Sequence, residues 1–287
     1  MSLNNLNNFN KFAPIRNCLT VQKPWEGSCV KKPWQYKVTA VIPCMDTYDS
    51  LEIVVKLLQL QSETPYITII DTGSLPEIYS KIESLRSESV EVHSLRLNST
   101  THPSDFPAIA MDLAFSLCRT PYLFATHADV FLKKKTLLAD MINLCQKKSP
   151  VVGYEISPRN HDDWKGMVSH TATMYHIATM DKIGFGWSLR RLCNLFNISD
   201  PRPNPNRPCW PDTELLGNYL LRKNNIVPFL IGKEQNFQRT NDENIDHFRS
   251  YTSSKLYSNS YFNMASEWYE EARTKALERM YEWKKEA

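Results

Sequence analysis

The chain has 287 residues, 42% of them hydrophobic and 23% charged, with 34 Lys and Arg against 31 Asp and Glu for a net charge of +3. These figures fit an ordinary globular protein of one or two domains and exclude fibrous, collagen-like, disordered and small disulfide-framework classes. So even a balance also argues against a nucleic-acid partner, which shows as a strong basic excess or stripe.

Residues 1–35 are polar, contain Pro14, Pro24 and Pro33, and hold Lys11, Arg16, Lys23, Lys31 and Lys32 against Glu26 alone. They read as an extended arm whose cations are either simply solvated or turned to an anionic surface. Order is expected from Tyr36. The β-branched, apolar run 37–42 reads as a buried strand stopped by Pro43. Asp49 then opens a helical pattern with Leu51, Val54, Val55 and Leu58 on one face. A second apolar run, 66–70, ends in Asp71-Thr72-Gly73-Ser74, and a helix over about 76–87 leads to a strand over 90–95. Strands and helices alternating in this way, with continuously apolar strands, predict a parallel sheet covered on both faces.

Further on, helical periodicity over 108–118 precedes another buried strand, 121–126, which runs into His127-Ala128-Asp129. An amphipathic helix is expected over 135–147, and strands over 151–156 and 168–177 form a mixed part of the sheet. Five prolines in the twelve residues 200–211 forbid helix or central strand, so this is an ordered loop or lid. Asp212 opens a helix to about 223, and residues 263–287 form a long helical pattern with Trp268, Tyr269, Ala272, Ala276, Met280 and Trp283 on one broad face. That face suits a packed C-terminal helix, with membrane-surface or partner contact as the alternative.

The seven cysteines are scattered without a C-x-x-C pair, which suits reduced thiols in a cytosol. The Asn-rich beginning lacks the apolar core of a secretory signal, and no run approaches the ~18 apolar residues of a membrane span. The expected location is cytoplasmic, or peripheral to a membrane, with no integral membrane segment.

In open α/β sheets, ligands bind beyond the carboxyl ends of the parallel strands. Three such ends carry acidic or metal-capable groups: Cys44-Met45-Asp46, Asp71, and His127 with Asp129. On an extended segment, residues i and i+2 point the same way, so His127 and Asp129 can converge on one target. A carboxylate suits Mg²⁺ or Mn²⁺, and imidazole is acceptable to Mn²⁺; a packed, hydrogen-bonded His127 is the other reading. Asp212 and Glu214 lie two apart at a helix start and face different directions, so one can face the cleft while the other caps the helix or pairs with a cation. Asp212 is then either a helix cap or a general base.

Val41-Ile42-Pro43-Cys44-Met45-Asp46, Ile69-Ile70-Asp71-Thr72-Gly73-Ser74 and 123–129 (Leu-Phe-Ala-Thr-His-Ala-Asp) resemble the successive nucleotide-sugar-binding motifs of family 2, GT-A-type glycosyltransferases. Residues 174–185 resemble the stretch ending in that family's Gly-Gly-Phe, and Asp212-Thr213-Glu214-Leu215 resembles the segment supplying its catalytic base. The likeness covers about residues 36–250. It implies a GT-A-type, Rossmann-like α/β fold: a mostly parallel central sheet flanked by helices, with a mixed acceptor-side subregion. Residues 36–130 would form the nucleotide-binding half and 131–250 the acceptor half, with 251–287 a helical tail.

The implied activity is transfer of a sugar from a nucleotide-diphosphate sugar to a glycan, lipid-linked or other hydroxyl acceptor, inverting and assisted by Mn²⁺ or Mg²⁺. Pro43, Cys44, Asp46 and Asp71 would line the nucleotide pocket with His127 and Asp129. Asp129, His127 and His247 would hold the metal, His247 being otherwise an isolated histidine in a polar segment. Asp212 would deprotonate the acceptor. Trp210, as sugar platform or loop anchor, and Glu214 are the candidate acceptor-side residues. The chain departs from the family pattern in having Met45 for an aromatic, His127 for the first Asp of D-x-D, and Pro211 for a Glu. Those departures leave a non-catalytic nucleotide- or glycan-binding protein as the alternative.

Overall fold

The computed structural model describes residues 35–95, 105–156, 165–197, 213–235, 239–248 and 259–286. Pro14, Pro24, Pro33 and the cations of the arm, Trp210 and Asp212 lie outside these residues.

The apolar runs form the strands the pattern predicts: β1 (Val38–Cys44), β2 (Tyr66–Asp71), β3 (Val90–Ser94) and β4 (Tyr122–Thr126). Between them lie α1 (Tyr48–Gln59), α2 (Pro76–Glu83) and α3 (Asp105–Leu117). The four strands are parallel in the order β3-β2-β1-β4. β1 does not stop at Pro43. It continues to Cys44 because Pro43 lies past the last residue paired to β4, Val41, where a missing amide is tolerated.

After β4 come β5 (Val130–Leu132), α4 (Leu137–Lys147), β6 (Val151–Glu155), β7 (Ala172–His176), α5 (Ile177–Lys182), α6 (Leu189–Leu195), α7 (Thr213–Lys223) and β8 (Phe229–Lys233). β9 (Thr240–Asn241), β10 (Ile245–His247) and α8 (Asn259–Lys285) complete the set. β7 pairs antiparallel to β4, β6 antiparallel to β7 and β8 parallel to β6, giving a seven-stranded sheet that is parallel on one side and mixed on the other. A second sheet, β5-β10-β9, is antiparallel. This α/β architecture, with its mixed part and flanking helices, is the one the sequence resemblance implies.

Alternation along the strands divides the core into two layers. Val38, Ala40, Ile42, Ile67, Ile69 and Phe124 pack with α1, α4 and the buried face of α8. Val41, Ile70, Leu123 and Ala125 pack on the opposite face with α3, Tyr175 and Trp187. In α8, Tyr269, Ala272, Ala276, Met280 and Trp283 are buried. Arg279 Nη1 donates to Leu132 O at 3.1 Å, which ties the helix to β5. Among the described residues no helix is long and apolar enough to cross a membrane.

Candidate active site

β1 lies between β2 and β4, with the chain crossing outward to β2 and β3 on one side and to β4 on the other. A crevice at such a switch point is the usual ligand site of an open α/β sheet. The candidate residues sit around it in two groups.

The first group ties the ends of β1 and β2 together. Asp46 adopts the left-handed region (φ 52°), which a short polar side chain tolerates. Its amide donates to Ser74 Oγ at 2.8 Å, and its Oδ1 accepts from Leu75 N at 2.8 Å. Asp71 is buried and accepts from Ser74 N at 3.1 Å and from the Ser74 hydroxyl. Burial pushes its carboxyl up, against the downward pull of those Ser74 hydrogen bonds. Thr72 closes the loop by donating from N (2.9 Å) and Oγ1 (3.1 Å) to Cys44 O. The Cys44 thiol is buried and pushed well up by desolvation, with Asp71 and Asp46 adding to the effect, so it is a packed, protonated group. Gly73 sits at φ +126°, a conformation that side chains rarely adopt.

The second group gathers at the end of β4. His127 and Asp129 do not lie on an extended segment. Residues 127–130 turn, with Val130 N donating to His127 O at 3.3 Å, and β5 starts at once. The pair still converges, because β10 runs back beside β5. His247 is opposite Val130, and Phe248 N donates to Asp129 O at 3.1 Å. That pairing brings His247 Nε2 to 3.7 Å from Asp129 Oδ1, both side chains being 2% exposed. The His127 and His247 rings meet edge-on with centroids 5.9 Å apart. One ligand atom from each of His127, Asp129 and His247 lies within 4.8 Å of the others, a spacing that can enclose a cation.

One residue that sequence reasoning passed over, His170, joins the cluster and meets Glu214 there. The His170 ring lies 4.5 Å from that of His127, tilted 59° to it, and its Nδ1 lies 2.8 Å from Glu214 Oε1 in the first turn of α7. Burial pushes the phenol of Tyr175 up, and the negative charge of Glu214 adds to this. The expected strand over 168–177 is therefore broken. Val168 makes an isolated bridge to Glu155, the side chains of Ser169, His170 and Thr171 turn to buried carboxylates, and β7 begins only at Ala172. Ser169 Oγ (2.8 Å) and Thr171 Oγ1 (3.0 Å) both donate to Glu234 Oε1, a buried carboxylate just after β8. The signal for this was present in the sequence: Ser-His-Thr interrupts an otherwise apolar and β-branched run.

Comparison with known proteins finds likeness to solved structures at low similarity. No family model matches the sequence, and no curated protein matches it. Among solved structures, a mannosyltransferase of Pyrobaculum calidifontis, PcManGT, in complex with GDP-Man and Mn²⁺, is 12% identical over 79% of this chain and 62% of its own, with a TM-score of 0.48. S. aureus TarS is 15% identical over 53% of this chain, TM-score 0.41. The glycosyltransferase GlyE of Streptococcus pneumoniae TIGR4 is 10% identical over 68% of this chain and 45% of its own, TM-score 0.43. This chain spans 30% of the length of TarS.

The arrangement can do two things chemically. The β1–β2 loops form a rigid polar rim in which Pro43, half-buried, and Asp46 flank the buried Asp71. The His127–Asp129–His247 group offers two imidazole nitrogens and a carboxylate oxygen to a divalent ion. That donor set fits Mn²⁺ better than Mg²⁺, which prefers an all-oxygen octahedron.

Proposed function

We propose that the protein is a glycosyltransferase that moves a sugar from a nucleotide-diphosphate sugar to an acceptor hydroxyl, with inversion and with Mn²⁺ held by His127, Asp129 and His247. The observation that carries this reading is the convergence of those three residues, from β4 and the distant β10, on the sheet edge where the β1 and β2 loops already meet. The ion, when bound, offsets the negative charge that develops on the diphosphate leaving group. Asp46 and Asp71, held by Ser74 and Leu75, keep the β1 and β2 loops fixed where a nucleoside would lie between them. Asp212, the residue before α7, is assigned the acceptor's proton on the strength of the motif resemblance, a contribution of about 10²–10⁴-fold. Trp210, two residues earlier, is assigned the acceptor-sugar platform. Cys44, Cys118 and Cys145 are free thiols, which supports a reducing, cytoplasmic setting.

The test is thermal unfolding with UDP, GDP, CDP and dTDP, each with and without Mn²⁺, on wild type and Asp129→Asn. A ligand at about 100 times its Kd stabilises by about 2.7 kcal/mol, an easily read shift. The expected result is one nucleotide that shifts the wild type only with Mn²⁺ and leaves Asp129→Asn unmoved. If no nucleotide shifts the wild type, the reading fails. A shift without slow hydrolysis of the matching nucleotide sugar indicates a non-catalytic binder instead.

A further inference from the structure

The segment around His170 is fastened from every side. Val168 N donates to Asn218 Oδ1, and Asn218 Nδ2 donates back to Val168 O, both at 2.8 Å, so α7 is fixed to the segment at one backbone position. Ser169 N donates to Tyr154 O at 2.8 Å. The Ser169 and Thr171 hydroxyls converge on Glu234. Between these ties, His170 meets Glu214, each side chain 6% exposed. The 2.8 Å contact between His170 Nδ1 and Glu214 Oε1 pairs the imidazole with a buried carboxylate, which restricts how the ring can turn. That ring is tilted 59° to the His127 ring, with centroids 4.5 Å apart.

From this packing we infer that Glu214 and His170 form a positioning pair: Glu214 fixes the His170 ring, and the ring in turn holds the imidazole of His127 at the angle from which it binds the metal ion. This rests on the proposed metal site. It gives Glu214 a part other than acceptor binding, because a carboxylate so deeply buried presents no surface to an acceptor. It also accounts for a half-buried ligand, His127, keeping one orientation between two neighbouring rings, His170 and His247. Residues that orient metal ligands from behind contribute to affinity, and their loss weakens metal binding about tenfold to a hundredfold.

The experiment is a Mn²⁺ titration of the full chain, with free Mn²⁺ read by its electron paramagnetic resonance signal and folding checked by thermal melts. The variants are Glu214→Ala, Glu214→Gln, the double variant His170→Leu/Glu214→Met, and Asp129→Asn. The double variant replaces a buried polar pair by apolar groups of similar bulk, a change that commonly leaves stability intact, so it tests position even if Glu214→Ala does not fold. Both Glu214→Ala and the double variant are expected to weaken Mn²⁺ binding at least tenfold. Glu214→Gln, which keeps an oxygen beside Nδ1, retains most of the affinity. Equal affinity in the wild type and the double variant overturns the inference, and so does Glu214→Gln proving as damaging as Glu214→Ala. If the wild type binds Mn²⁺ and Asp129→Asn does not, the metal site stands whatever the positioning pair does. If the wild type takes up no Mn²⁺, the metal reading falls and the inference falls with it.

Discussion

Asp112 offers the sharpest test of the electrostatics. It projects from α3 to the loop before α6, where it accepts from Trp187 N at 2.8 Å and from the Ser188 amide. Burial pushes its carboxyl from the ordinary 3.8 up to about 6, against the pull of those two amides and of Arg191. The native state therefore binds the proton more tightly than the unfolded chain does. Stability from this group is fully present below the unfolded value and is lost as pH rises through the native one. A shift of about two pH units corresponds to about 3 kcal/mol, and partial solvent screening reduces it to about 2. Asp112→Asn keeps an oxygen for the Trp187 amide and removes the titration. Urea unfolding at a series of pH values from about 4 to about 7 reads the difference between the two proteins. The variant should gain about 2 kcal/mol on the wild type across that window. A constant difference at all pH values would refute the reasoning, since Asp112 would then titrate no differently folded and unfolded.

Other outcomes follow from the packing. Gly217 of α7 lies under the Phe185 ring, and an added Cβ would come within 2.6 Å of Cζ. Alanine gains up to about 1 kcal/mol in helix propensity and loses about 1–3 in overlap, so Gly217→Ala should unfold at lower denaturant. Gly73→Ala meets no atom within 4 Å, yet at φ +126° it should cost about 1–3 kcal/mol in urea unfolding from backbone strain alone. Arg239 forks onto Asp246, Nε to Oδ1 at 2.8 Å and Nη2 to Oδ2 at 2.7 Å, and lies over the Phe248 ring. Arg239→Ala should cost about 3 kcal/mol in the same assay. It should also raise the Kd for Mn²⁺, because Asp246 adjoins His247; unchanged Mn²⁺ binding would show β10 to be held without the pair.

Much of the sheet was legible because buried parallel strands are written as unbroken apolar runs, as in Tyr66 to Ile70. The approximate positions of α1, α3 and α4 followed from their periodicity. The strand ends were legible too, and His127 and Asp129 were found there despite the turn between them. What escaped was set by distant partners. His247 was named through the family resemblance, but its three-residue strand in a polar segment has no local signal, and only its pairing with β5 turns it toward Asp129. Residues 168–177 look like one strand locally, but Glu214 and Glu234, many residues later, draw Ser169, His170 and Thr171 out of the ladder. Helix α6 is seven residues long, capped by Ser188 accepting from Arg191 N, and too short for periodicity to declare.

The pairing of β10 with β5 has a consequence for the order in which this protein comes into being. A growing chain is delivered amino terminus first, and its early strands can collapse while the rest is still being added. β1 to β4 need nothing beyond residue 126 to form their ladder. His247 arrives more than a hundred residues later, and until it has docked, Asp129 has no third companion for an ion. The strand ends that carry Asp46 and Asp71 are thus made long before the group of His127, Asp129 and His247 can assemble.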